Sequence, residues 1–422
     1  MKSNKGASRD RKSEASFFNS LKIESNSAIE SLPKLARKKV KAMVSAKKRQ
    51  TGHYFESNIE DPMVPIQLGP YRLLYGYQRS NLNLQNMKDS QPYHCLRLTK
   101  KDSVFFNFTN CGQSAVSIAI LAAQKMYDSN SIDSWTEVYY ETYEFLKDFK
   151  ISWRIDDRSL KRPGSAILFI DSSTLKNFSG TSQKYACVIL DTTCWDLGSA
   201  KQRKIVDYFL KKGTDVVLAR SHIKLDCLGT EWNRLGSVLF ISRGSDRKSR
   251  VFRSEFSKRA SPLGINAEIR QIYPFLHDAR FRTLSKIWVE QIRTANKTLA
   301  RSLEKTLARE MKNSEVIRIE TFDHHLFFWI VVKESNIEIN RDRVQILIDD
   351  LKTIDVPALD LASYPWDFFS FTVFSKRFQG RSSRSNNKSN VGVIRVSACH
   401  TDSNKADQVL RIVNGWMKTV LE

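Results

Sequence analysis

The sequence predicts an α/β fold with a mostly parallel sheet, followed by a smaller α+β domain. Three observations predict it. At 422 residues with 41% hydrophobic content, the chain is long enough for two or three domains with a large core. From about residue 100, apolar strand-like runs alternate with amphipathic helical stretches, the spacing of βαβ units. A long helical stretch near 275–312 then leads into a second set of strands and helices.

In order, "DSVFFNFTN" (102–110) reads as a strand, and "GQSAVSIAILAAQKMY" (112–127) as a turn opening into a helix. "GSAILFIDSS" (164–173) and "KYACVILDTT" (184–193) are strands ending in polar residues. "SAKQRKIVDYFLKKG" (199–213) is an amphipathic helix closed by Gly213. "DVVLA" (215–219) and "SVLFIS" (237–242) are further strands. After the long helical stretch come strands at 325–333, 368–374 and 391–397 and helices at 341–353 and 404–421. "KRFQGRSSRSNNKSN" (376–390) is a loop by composition. The expected division is a basic extension over 1–60, a large α/β domain over 61–275 and a small α+β domain over 276–422.

No apolar run approaches the roughly 18–20 residues of a membrane span; "HLFFWIVV" (325–332) is far too short. The start of the chain is polar, without the apolar core of a secretory signal. Six cysteines (95, 111, 187, 194, 227 and 399) lie far apart with no CxxC pair, which points to reduced thiols in a cytoplasmic protein. The net charge is +23, and residues 1–50 hold 14 Lys and Arg against four Asp and Glu. The densest part, "KLARKKVKAMVSAKKRQ" (34–50), is either a solvated tail or an arm that contacts nucleic acid. His324 and His325 are read at the start of a strand, where adjacent side chains point apart and make no metal clamp. No HExxH, P-loop, GxGxxG or GxSxG sequence is present.

The chemistry gathers at strand ends. Asp191 ends one strand, and Ser221 and Lys224 follow the next, 33 residues on, with a single helix between. A right-handed crossover brings both ends to the same sheet edge, where open α/β folds bind ligands. A carboxylate and a lysine there suit pyridoxal phosphate (PLP): the lysine amine links to the aldehyde, and the carboxylate keeps the ring nitrogen protonated. Taken alone, such a D…SxxK pattern more often marks a surface lysine and a loop aspartate. Other features add to it. Gly112 and Gln113 open an apolar helix, whose N-terminal amides suit a phosphate. Tyr139, in "VYYETYEFL" (138–146), is placed to lie on the ring, or else to be a core aromatic. Arg395 stands inside a β-branched strand, "VGVIRVSACHTD" (391–402), and its fork suits a substrate carboxylate.

These residues, in this order, resemble the fold-type I PLP enzymes over roughly 65–422, and most resemble their Cys/Met-metabolism branch, that of cystathionine γ-synthase and methionine γ-lyase. "CGQSA" stands where that family has its S-G-M-A phosphate turn, which implies Gly112 and Gln113 as phosphate ligands. "YYETYEF" resembles Y-G-G-T-Y-x-L and implies Tyr139 as the stacking ring; "DTTCW" resembles D-N-T-F and implies Asp191 as the ring-nitrogen partner. "SHIK" resembles S-A-T-K, implying Ser221 on the phosphate and Lys224 as the Schiff-base lysine; "IRVSACHTD" resembles R-L-S-V-G-x-E-D, implying Arg395 on the substrate carboxylate. "YGYQRSN" (75–81) resembles Y-S-R-x-x-N, implying that Tyr77 and Arg79 reach a neighbouring subunit's phosphate in a homodimer or dimer of dimers.

The chain departs from the pattern where E-S-P-x-N-P becomes "DSSTLK" (171–176), so that the asparagine facing the ring hydroxyl falls at Leu175. Ile223 replaces the threonine before the lysine, and the glycine-rich run after it shrinks to "LDCLG". The resemblance implies elimination or replacement at the β or γ carbon of an α-amino acid. An aminotransferase-like alternative rests on "NRLGSVLF" (233–240), whose R-x-G-x-V pattern would put Arg234 on the phosphate, although its spacing from Lys224 is two residues longer than that pattern expects. A third reading is a non-catalytic PLP fold that binds nucleic acid through 34–50.

Overall fold

The computed structural model describes residues 64–68, 71–75, 96, 98–99, 101–155, 165–178, 180–229, 234–244, 246–267, 279–310, 316–361, 367–377, 390–399 and 403–420. The basic extension, with its 34–50 segment, and the subunit-bridging pair Tyr77 and Arg79 lie outside them. The chain divides into two compact units between Ser285 and Lys286.

The large unit opens with a hairpin of β1 (Val64–Leu68) and β2 (Tyr71–Tyr75). Its seven-stranded sheet holds β3 (Asp102–Thr109), β4 (Ser131–Ser134), β5 (Ser152–Ile155), β6 (Ile167–Asp171), β7 (Cys187–Asp191), β8 (Asp215–Ser221) and β9 (Gly236–Arg243). The order is β3-β9-β8-β7-β6-β4-β5. Strands β5, β4, β6, β7 and β8 run parallel, and β9 is antiparallel to both β8 and β3. Helices α1 (Gly112–Met126), α2 (Tyr140–Asp148), α3 (Ala200–Lys211) and α4 (Asp246–Ala260) complete it.

Because side chains alternate along a strand, the central strands feed two cores. Ile167, Phe169, Ile189, Val217, Ala219, Val238 and Phe240 face α1 and α4. Leu168, Ile170, Val188, Leu190, Val216, Leu218 and Leu239 face α3 through Ile205, Val206, Phe209 and Leu210. Every position of β8 is buried, as a strand covered on both sides requires. The sheet is therefore the middle of three layers.

Helix α5 (Ala279–Glu310) runs across the division. The small unit has a sheet ordered β10-β11-β14-β13-β12, built from β10 (Val316–Thr321), β11 (Phe328–Val332), β12 (Ala358–Asp360), β13 (Phe369–Arg377) and β14 (Asn390–Ser397). Only β12 and β13 pair in parallel among its described strands. Its core joins Leu299 and Leu303 of α5, Val344, Leu347 and Leu351 of α6 (Ile337–Thr353), and Val413, Trp416 and Met417 of α7 (Ser403–Val420) to Ile330, Phe371, Ile394 and Val396.

Candidate functional site

The carboxyl ends of β6, β7 and β8 build the candidate site. In the parallel register Asp171 stands opposite Asp191, and Asp191 opposite Ala219. Both carboxylates therefore emerge side by side at one edge, two positions before Ser221. Asp171 is fixed: its Oδ1 accepts from Ser173 N at 2.7 Å and its Oδ2 from Tyr139 N at 2.7 Å. Asp191 Oδ1 accepts from Thr193 N at 2.9 Å. Burial, and then the neighbouring Asp171 carboxylate, raise the Asp191 pKa to about 7, against the pull of Thr193 and Arg220. Burial also pushes Asp171 up. Two carboxyl groups so placed resist ionising together.

Ser221 ends β8 against the start of α1. A methyl group built on Gly112 would overlap the Ser221 Cβ and stand 2.8 Å from its Oγ. Only glycine lets the helix start come this close. The contact sets the Ser221 hydroxyl beside the amides of Gly112 and Gln113, which have no intrahelical acceptor at these first positions. The Gln113 side chain turns to α2, its Oε1 accepting from Thr142 Oγ1 at 3.3 Å, so the backbone amide is its group at the helix end. A hydroxyl thus lies at the positive end of a helix dipole, an arrangement that suits an anion and makes a candidate anion cradle.

Lys224 is half-buried and immediately precedes a single 3₁₀ turn, Leu225–Cys227. Arg220, His222 and Asp226 clamp the segment that carries it. Arg220 is fully buried, and its Nε and Nη2 donate to the two oxygens of Asp226, both at 2.7 Å. His222 is also fully buried, with Nδ1 at 2.7 Å from Asp226 Oδ2 and Nε2 at 2.7 Å from Ser237 Oγ. Burial pushes the Asp226 carboxyl up, but Arg220 and His222 outweigh it and hold it well below the usual carboxylate range. Burial holds His222 below its ordinary value against Asp226. The ring is then neutral, giving its Nδ1 proton to Asp226 and accepting from Ser237 at Nε2. An Asp–His–Ser chain of this kind has the connectivity of a nucleophile relay, but Ser237 is fully buried inside β9, where no substrate reaches it. Its role is to hold the turn.

Tyr139 is exposed at the N-terminus of α2, its ring 5.7 Å edge-on from Tyr140, and its backbone bond to Asp171 ties it to the same edge. Arg234 is exposed two residues before β9, whose Gly236 pairs with Ser221; the intervening Leu235 O accepts from His222 N at 2.9 Å. Arg234 therefore starts from the edge where Ser221 ends. Leu175, by contrast, is fully buried within the α3-side core. It offers nothing to a ring hydroxyl.

Arg395 belongs to the small unit. On β14 it lies opposite Trp329 and Thr372, on the face away from the helix-packed core. Its Nη2 donates to Thr372 Oγ1 at 2.7 Å, and its guanidinium lies 5.5 Å from the Phe327 ring centroid. His324 and His325 fall in the turn before β11 rather than within the strand, and His324 Nδ1 accepts from Leu326 N at 2.8 Å. Among the described residues no group of His, Cys, Asp and Glu could hold a metal ion, and no helix is long and apolar enough to cross a membrane.

The sequence reasoning missed Asp171, Thr193 and the Arg220–His222–Asp226 clamp. A signal for the clamp was present: "RSHIKLD" sets an arginine, a histidine two residues on and an aspartate four further on, at the end of an apolar run.

No family model and no curated protein matches the chain. Among solved structures it is similar to the histidinol-phosphate aminotransferase from Clostridium acetobutylicum, at 13% identity and a TM-score of 0.45, over 80% of this chain and 89% of that one. It is similar to the 8-amino-7-oxononanoate synthase from Francisella tularensis, at 13% identity and a TM-score of 0.47, over 82% and 90%. It is also similar to an aromatic-amino-acid aminotransferase from Burkholderia pseudomallei covalently bound to pyridoxal phosphate, at 10% identity and a TM-score of 0.45, over 100% and 98%.

Proposed function

We propose that the chain is a PLP-dependent enzyme acting on an α-amino acid, with Lys224 as the cofactor lysine. The observation that carries this is the Gly112–Ser221 contact: it makes an anion cradle three residues from a half-buried lysine, on the edge where Asp191 ends its strand. The residues fit the group. Gly112 and Gln113 offer amides and Ser221 a hydroxyl to the phosphate, Asp191 offers a carboxyl that titrates near neutrality to the ring nitrogen, and Tyr139 offers a ring at the rim.

When bound, PLP supplies an aldehyde that links to amines and a protonated ring that draws electrons from the substrate α-carbon. Lys224 would hold that aldehyde through its amine, and the same amine would be the group to take and return a substrate proton as base and acid. Asp191 would face the ring nitrogen and favour its protonated form, because a carboxylate beside a cation stabilises the charge. Arg395, on the small unit, carries the planar fork that suits a carboxylate.

Two observations favour an aminotransferase-like reaction over elimination or replacement. Arg234 starts from the cradle edge, as the aminotransferase-like pattern requires of a phosphate ligand. Leu175 is buried where the Cys/Met branch needs an asparagine facing the ring hydroxyl. The test is to incubate the purified chain with PLP, amino-acid donors and a ketoacid acceptor. The expected result is amino transfer that depends on the acceptor. Release of ammonia or thiol without acceptor would assign elimination instead.

A further inference from the structure

We infer that Arg220 is a positioning residue that fixes the separation of Asp191 and Lys224 by bonding the turn after β7 to the turn after β8. The inference rests on the PLP reading for its chemical meaning, but the clamp itself is a statement about two turns of this chain.

Four N–H groups of one guanidinium are used. Nε and Nη2 take both oxygens of Asp226, in the 3₁₀ turn that follows Lys224. Nη1 donates to Thr192 O at 2.5 Å and to Trp195 O at 2.7 Å, the two ends of the turn that follows Asp191. That turn is closed by Trp195 N donating to Thr192 O at 3.1 Å. A second thread runs beside the first, since Ser221 N donates to Thr193 Oγ1 at 3.0 Å. The geometry needs a planar fork with donors on both sides, which lysine lacks.

Stability alone does not call for this arrangement. A buried ion pair is commonly no more stable than apolar side chains of the same volume. What the pair does supply is a fixed spacing between two segments that the sheet alone leaves free once the strands end. The Lys224 turn needs such support, because Leu228, which closes it, is left-handed at φ 53°. Further ties hold it, from Cys227 Sγ to Ile223 O at 2.9 Å and from Ser285 Oγ to Leu225 O. The Arg220 charge also reaches Asp191, opposing the effect of burial on its carboxyl. One side chain therefore ties the lysine's turn to the Asp191 turn and adds a small downward pull on the Asp191 carboxyl.

The test compares the wild-type chain with Arg220→Lys, which keeps the charge without the fork, and with the double variant Arg220→Gln, Asp226→Asn, which removes both charges together. Two readings are taken below the melting temperature of each. The first is borohydride trapping of PLP on Lys224, with exposed Lys211 and Lys258 as internal references. The second is amide hydrogen exchange over 192–195 and 225–228. Trapping on Lys224 should fall at least tenfold in both variants while the reference lysines stay unchanged, and exchange should quicken in both turns together. Wild-type trapping rates on Lys224 in a folded variant would overturn the inference, as would loosening of one turn alone. If the wild-type chain traps no PLP on Lys224, the cofactor reading fails, and exchange alone decides the clamp. If neither variant folds, exchange of the wild-type chain across a urea series decides it: the two turns must open as one unit, and separate openings overturn it.

Discussion

Gly112 is where one methyl group separates two outcomes. Gly112→Ala drives a Cβ into Ser221, and neither the helix start nor the end of β8 can retreat without disturbing a buried strand. The expected loss is about 1–3 kcal/mol of stability, read from urea melts, together with weaker binding of inorganic phosphate. Unchanged phosphate binding in a destabilised variant would remove Gly112 from the cradle. Asp191 makes a prediction in pH. Its pKa rises from 3.8 to about 7 on folding. The folded chain thus holds a proton that the unfolded chain has released, and the stability this contributes is present below about pH 4 and lost as pH rises through about 7. Asp191→Asn removes that dependence. Relative to the variant, the wild-type chain should lose stability between pH 5 and pH 8, by about 1.4 kcal/mol for each pH step of one up to the folded pKa and little beyond it. Urea midpoints at the two pH values check it, and a difference that stays flat contradicts it. Asp226 acts in the opposite sense, since its depressed pKa makes its contribution vanish as pH falls below the carboxylate range.

At the scale of elements, the unit that matters is β7–α3–β8. The strands were legible because each is a continuous apolar run and α3 has a clear apolar stripe, Ile205, Val206, Phe209 and Leu210. Strand direction was not: nothing in "SVLFIS" marks β9 as antiparallel, because a strand buried on both faces reads alike in either sense. Helix α4 was also illegible, since Phe252 and Phe256 are its only large buried residues amid Arg, Lys and Ser. Within the site, Lys224, Asp191 and Ser221 could be placed by strand ends alone. The clamp could not, because its partners are chosen by how the turn closes, and that depends on carbonyls at Thr192 and Trp195. The energetic contrast is sharp. Asp226→Ala leaves the buried Arg220 charge without its carboxylate and should cost about 3–5 kcal/mol. Lys258→Ala breaks an ion pair whose lysine is 66% exposed and should change stability by less than about 1 kcal/mol. Urea melts of the two variants, side by side, test whether burial sets the difference.

For the whole molecule, the described residues form two units, each with its own core. The large unit holds the cradle, the carboxylate pair and the lysine; the small unit holds Arg395 against Thr372 and Phe327. The net charge of +23 is an excess that this site does not explain, and much of it belongs to the first 50 residues, outside the described ones. In the proposed chemistry one lysine, Lys224, carries the cofactor. This is tested most directly by adding PLP to the purified chain, recording its visible absorption, reducing with borohydride and locating the modified lysine by peptide mass. The expected result is an absorbing complex whose reduced adduct sits on Lys224 and is absent from Lys224→Ala. A chain that stays colourless with PLP, or an adduct confined to another lysine, would contradict it.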